Sequence, residues 1–148
     1  MNKQLEAKLR EDFPHFFMRK TDCEAFPFDA FGFEAGDGWF LLIYKDFRDL
    51  TNLNPEIKVH QVKEKFGTLR IYTSGGEAEI AIWKNTAQAS SQICEHCGKP
   101  GSLREHKGWW TTLCDMHFEL SKGKKGLEPL EQNAVERMIA LANKESNA

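Results

Sequence analysis

Near the start of the chain, Leu5, Leu9 and Phe13 fall on one face at helical spacing, which predicts a short helix over residues 3 to 12 closed by Pro14. From Phe13 to Phe40 neither a period of two nor one of 3.6 holds. That stretch carries most of the chain's phenylalanines between prolines and glycines, and predicts a compact loop packed by its own aromatics, or a loop with a short strand. The helical pattern returns at "GDGWFLLI": Trp39, Leu42, Ile43, Phe47 and Leu50 predict a helix to about Leu53, with Asp37 as its N-cap and Asn54-Pro55 as its end. In "IKVHQVKEKFGTLRIYTSGG" two β-rich runs flank Gly67, which predicts a hairpin. Residues 77 to 92 suggest a helix. "LEPLEQNAVERMIALAN" predicts a last one, with Pro129 in its first turn and Leu130, Ala134, Met138 and Leu141 as its apolar stripe.

These elements predict an α+β fold, a small mixed helix and hairpin domain with an embedded treble-clef-like zinc module. The expected division is 1–92 for an N-terminal α+β region, 93–125 for the zinc module and 126–148 for a C-terminal helix. With 148 residues, 41% hydrophobic and 28% charged, the chain has the composition of a folded domain. A net charge of −2 supplies no general attraction to nucleic acid or anionic membrane. No apolar run is long enough to span a bilayer, and the polar start is unlike a secretory signal, so a cytoplasmic location in a bacterial cell is expected.

Candidate chemistry concentrates in "CEHCGKPGSLREHKGWWTTLCDMH". Cys94 and Cys97 form a CxxC knuckle with Gly98 behind it, and Cys114 and His117 form CxxH. Thiolates and neutral imidazoles are the usual ligands of tetrahedral zinc, so these four residues are the expected ligands of one structural Zn2+. His96 and His106 compete for the fourth place. His117 is preferred because Cys114 and His117 share one helical turn, whereas His96 points out of the knuckle. Four protein ligands close the shell that a catalytic zinc leaves open. No HExxH is present, nor an H-x-E or C-x-E upstream of the CxxC with a proline directly before it, as a zinc deaminase would carry. A treble-clef nuclease would use His106 as base, but no second histidine or asparagine accompanies it. Cys23 reads as a lone inert thiol, and Asp29, Glu34 and Asp37 as turn or capping carboxylates.

The words "GDGWFLLI", "QVKEKFGTLRIY" and the cysteine segment, in that order over about residues 36 to 117, resemble a family of small, uncharacterised zinc-finger proteins of tailed bacteriophages and prophages. The resemblance implies a phage accessory protein whose zinc ligands fall on Cys94, Cys97, Cys114 and His117. The expected function is non-enzymatic binding of a host or phage protein, such as inhibition of a host enzyme or defence complex. The alternative is a nucleic-acid-binding zinc finger. No small-molecule substrate and no membrane contact are expected. Trp109, Trp110, Lys122, Lys124 and Lys125 are the candidate partner surface: tryptophans for anchoring or stacking, lysines for phosphate. Adjacent strand residues point to opposite faces, so one tryptophan is expected to pack on the zinc module and the other to face outward or toward the rest of the chain.

Overall fold

A computed structural model of the chain describes residues 1–17 and 31–147. Among them the element order is α1 (Lys3–Asp12), a 3-10 turn (Pro14–Phe17), β1 (Phe33–Glu34), a second 3-10 turn (Asp37–Trp39) and α2 (Phe40–Leu53). Then follow β2 (Val59–Lys65), β3 (Thr68–Thr73), α3 (Glu77–Ser90), β4 (Ser102–His106), β5 (Trp109–Leu113), α4 (Asp115–Ser121) and α5 (Gln132–Ser146). The architecture is α+β as the sequence predicts. Cys23 and Asp29 lie outside the described residues.

The larger sheet has the order β1-β2-β3, with β1 parallel to β2 and β3 antiparallel to it. A register shift between Val59 and Gln61 breaks the strict alternation, so Val59 and Val62 are both buried although three residues apart. They join Leu69 and Ile71 of β3, the Trp39–Leu50 face of α2, Leu5 and Leu9 of α1 and Val135 of α5 in a single core. Phe13, Phe16 and Phe33 close that core around Phe47, with ring centroids 4.9 to 6.2 Å apart. The described parts of the aromatic segment hold a 3-10 turn and the short strand β1, with Phe13, Phe16 and Phe33 serving the common core; residues 18–30 lie outside the described residues.

Three expectations are corrected. Asp37 does not cap a helix: its carboxylate accepts the Asn2 N–H at 2.5 Å, and α2 starts at Phe40 after the 3-10 turn. Pro129 precedes the last helix, which begins at Gln132 with Glu131 as N-cap. Its buried stripe is Val135, Met138 and Ala142, which share one face at helical spacing, while Leu141 lies beside that face and is half exposed.

Candidate metal centre

The segment 93–121 is built from tight backbone turns. Cys94 N–H bonds to Lys99 O at 2.7 Å and Gly98 N–H returns to Cys94 O at 2.9 Å, closing the knuckle, with Gly98 at φ +76°. An isolated bridge between Ile93 and Pro100 pinches its base. β4 and β5 form a two-stranded sheet with Leu103 opposite Thr112 and His106 opposite Trp109. Cys114 is the N-cap of α4, and His117 sits in the first turn, as the CxxH spacing requires.

This order brings the four predicted residues together. One ligand atom from each of Cys94, Cys97, Cys114 and His117 lies within 4.8 Å of all the others. The Nδ1 of His117 faces the sulfurs, 3.2 Å from Cys114 and 3.6 Å from Cys94. A tetrahedral ion with metal–sulfur bonds of about 2.3 Å has donor–donor edges of about 3.8 Å, so the cluster has the size of one tetrahedral shell. All three thiols are free of disulfides. Cys94 and His117 are buried and the other two half-buried.

The electrostatics of the cluster are those of crowded, partly buried thiols. Burial pushes the Cys97 thiol up to about 12; the nearby sulfurs of Cys94 and Cys114 add to this, and a backbone hydrogen bond at Lys99 opposes it. Burial also resists ionisation of Cys114. There, hydrogen bonds from the backbone of His117 and from the Cys94 and Cys97 thiols outweigh it and hold its pKa below the ordinary value. Burial lowers the pKa of His117 below its ordinary value, helped by the nearby His96 and Lys99. Three sulfurs crowded in partial burial cannot all be anionic unless a positive ion sits among them.

The knuckle also has a seat in the rest of the chain, which sequence reasoning missed. Gly38 N–H bonds to Glu95 O at 2.7 Å, Gly36 N–H to the Glu95 carboxylate at 3.2 Å, and the Trp39 indole to Ile93 O at 2.8 Å. A Cβ at Gly38 would lie 2.5 Å from Gly98 N and closer still to Cys94 O. The glycines of "GDGW" therefore let the knuckle backbone approach, and the tryptophan ties it to the core. Two glycines before a buried tryptophan, upstream of a CxxC, were the available signal. On the other side, Thr112 donates to Gly67 O at 2.6 Å, docking the second hairpin on the turn of the first.

The other candidates fall outside the cluster. His96 lies against His117 at 4.4 Å between ring centroids, and His106 against Phe118 at 6.4 Å; neither is among the clustered donors. Glu34 is exposed and accepts from Gln61. Trp109 is 71% exposed and Trp110 45%, so the expectation that one packs on the zinc module is corrected. Near its tip the two-stranded sheet has no covering layer among the described residues. Its Leu103 and Thr112 face meets Gly67, and on the Arg104 face the guanidinium of Arg104 covers Phe118. Lys122 is engaged, bonded to Glu119 at 2.8 Å and held over Phe118, while Lys124 and Lys125 are exposed.

No helix among the described residues is long and apolar enough to cross a membrane. In comparisons with known protein families, with curated proteins and with solved structures, nothing matches the chain.

Proposed function

We propose that the Cys3His cluster holds one structural Zn2+ in a treble-clef-like module, and that the chain is a non-enzymatic binding protein whose partner is another protein. The exposure of both tryptophans on a hairpin anchored by the cluster carries this reading. Zinc is favoured over other ions by the donor set, three thiolates and one imidazole at tetrahedral size. A filled four-ligand shell leaves no position for water, which is why a structural role is preferred to catalysis. Large aromatic side chains left in solvent are costly unless a partner covers them, and tryptophan is enriched among the anchors of protein interfaces. The motif resemblance to small zinc-finger proteins of tailed phages and prophages directs the search to the bacterial host.

The exposed Lys124 and Lys125 favour a second reading, nucleic-acid binding. One experiment separates the two. The zinc-loaded chain and its Trp109→Ala/Trp110→Ala variant are used to capture proteins from bacterial lysate, and both are titrated with single-stranded oligonucleotides over a salt series. A specific protein lost with the variant, with mild salt dependence, supports the first reading. Submicromolar, steeply salt-dependent oligonucleotide binding, flattened when Lys124 and Lys125 are replaced, would replace it by the second.

A further inference from the structure

The two hairpins turn in the same way. Phe66-Gly67 joins β2 to β3 with φ of +53° and +76°; Lys107-Gly108 joins β4 to β5 with φ of +52° and +81°. Two-residue turns with both φ positive favour Asn-Gly or Asp-Gly, because bulky side chains strain in the left-handed region. Phe66 occupies such a position and is 68% exposed, so its ring gains little burial in return. Backbone strain of this kind persists where function holds it.

The two turns stand beside each other. Gly67 approaches the second hairpin so closely that a Cβ there would lie 2.5 Å from the Leu103 side chain. Between the tips is a cleft of about 490 Å³ lined by Phe66, Trp109 and Trp110 and by Lys63, Glu64 and Lys65. Its carboxylate is already used: Glu64 accepts the Gly67 N–H at 2.6 Å. Across the tip, Glu105 likewise accepts the Gly108 N–H. Lys63, Lys65 and Lys107 take part in no ion pair among the described residues, although Lys65 lies over the Phe66 ring at 5.6 Å. The cleft is therefore lined by three aromatic residues and by ammonium groups with no ion-pair partner among the described residues.

We propose that this cleft is the partner site of the reading above, completed by Phe66 from the other hairpin. Its occupant is an acidic segment of the partner protein carrying an aromatic side chain. The aromatic group would enter between Phe66 and the tryptophans, and carboxylates would meet Lys63 and Lys65. A nucleic acid is the less favoured occupant. Its continuous phosphate chain would have to run past Glu64 and Glu105, whereas a peptide can place separate carboxylates at Lys63 and Lys65 and turn uncharged residues toward the two glutamates. The proposal rests on the protein-binding reading but adds a residue that reading does not need.

The test is Phe66→Asn, which gives the turn its preferred residue and removes the ring. Zinc-loaded wild type and variant are labelled with ¹⁵N and titrated with three probes: a twelve-residue peptide alternating glutamate and tryptophan, the same peptide with lysine for glutamate, and a fifteen-nucleotide oligothymidylate. The acidic peptide is expected to saturate at millimolar concentration or below, shifting Phe66, Gly108 and both Trp109 and Trp110 indole signals. Phe66→Asn is expected to weaken it at least tenfold while the melting temperature stays level or rises. Unchanged peptide binding by the variant, a lower melting temperature, no saturable shift at all, or tighter binding of either other probe would overturn the proposal. Loss of lysate capture in the double tryptophan variant with no effect of Phe66→Asn would remove Phe66 and leave the protein-binding reading standing.

Discussion

The two hairpins share a turn geometry and differ in what holds them. β2–β3 buries Val59, Val62, Leu69 and Ile71 in the common core and lies against α3. β4–β5 buries only Thr112 and Leu113, and leaves Leu103, Trp109 and Trp110 largely in solvent. An isolated two-stranded hairpin is marginal in water. The first is rescued by apolar burial at roughly 25 cal/mol per Å². The second buries little apolar surface and is tied instead to the Cys94, Cys97, Cys114 and His117 cluster, which the proposed zinc would join into one cross-link. Stability that comes from a cross-link leaves side chains free, and the second hairpin uses that freedom to expose two tryptophans.

The sharpest way to break this contrast is to remove the metal. Chelation or Cys94→Ser is expected to abolish hydrogen-exchange protection across residues 94–118, because structural zinc supplies on the order of 10 kcal/mol to such modules. The Gly38 amide, bonded to Glu95 O, is expected to lose protection with them, while β2–β3 amides keep theirs. Uniform loss across the chain would show one cooperative unit with no division of labour.

A glycine pair gives the next largest effect. Gly38→Ala drives a Cβ into the knuckle backbone, which cannot yield as a flexible side chain would; a loss of about 3 kcal/mol and weaker metal affinity are expected. Gly108→Ala meets nothing within 4 Å and suffers only from its positive φ, so about 1 kcal/mol is expected. Denaturant titration and competition with a chromogenic chelator check both.

Much of this contrast could be read from the residues. The cluster was legible because CxxC and CxxH encode local geometry: a tight turn and one helical turn. The first hairpin was legible from β-rich runs about Gly67. What stayed hidden depends on distant segments. The purpose of Gly36 and Gly38 appears only when residues 94–98 lie against them, and the two-sided exposure of Trp109 and Trp110 only when the strand pair is seen to lack a cover. Asp37 and Pro129 misled for a related reason. Each is a good helix-start residue by local preference, and tertiary contacts moved both helix starts downstream.

Asp46 tests the core side of the contrast. It is fully buried on α2; Thr86 donates to one carboxylate oxygen, and the other has no hydrogen-bond partner among the described residues. Burial pushes its pKa from 3.8 up to about 7, against the hydrogen bond from Thr86. Because the folded value is raised, the stabilising contribution of the protonated acid is complete below about pH 4 and is lost as pH rises toward 7. Asp46→Asn is expected to remove that slope and to be the more stable protein at pH 7.5, by roughly 2 kcal/mol. Denaturation midpoints of both proteins from pH 4 to 8 check it; parallel curves would contradict it.

The smallest effect on stability is expected at the exposed tip. Trp109→Ala and Trp110→Ala should each change unfolding free energy by less than about 0.5 kcal/mol, since neither ring supports the fold. Calorimetry on the zinc-loaded variants measures this. A loss above about 2 kcal/mol would show that the second hairpin relies on its own apolar contacts after all.

The claim on which the contrast rests is the cross-link itself. X-ray absorption at the zinc edge of the purified protein, with metal content measured on the same sample, addresses it directly. The expected result is one zinc per chain, bound by three sulfurs at about 2.3 Å and one nitrogen at about 2.0–2.1 Å. A metal content near zero in folded protein, or a shell containing an oxygen ligand from water, would contradict it.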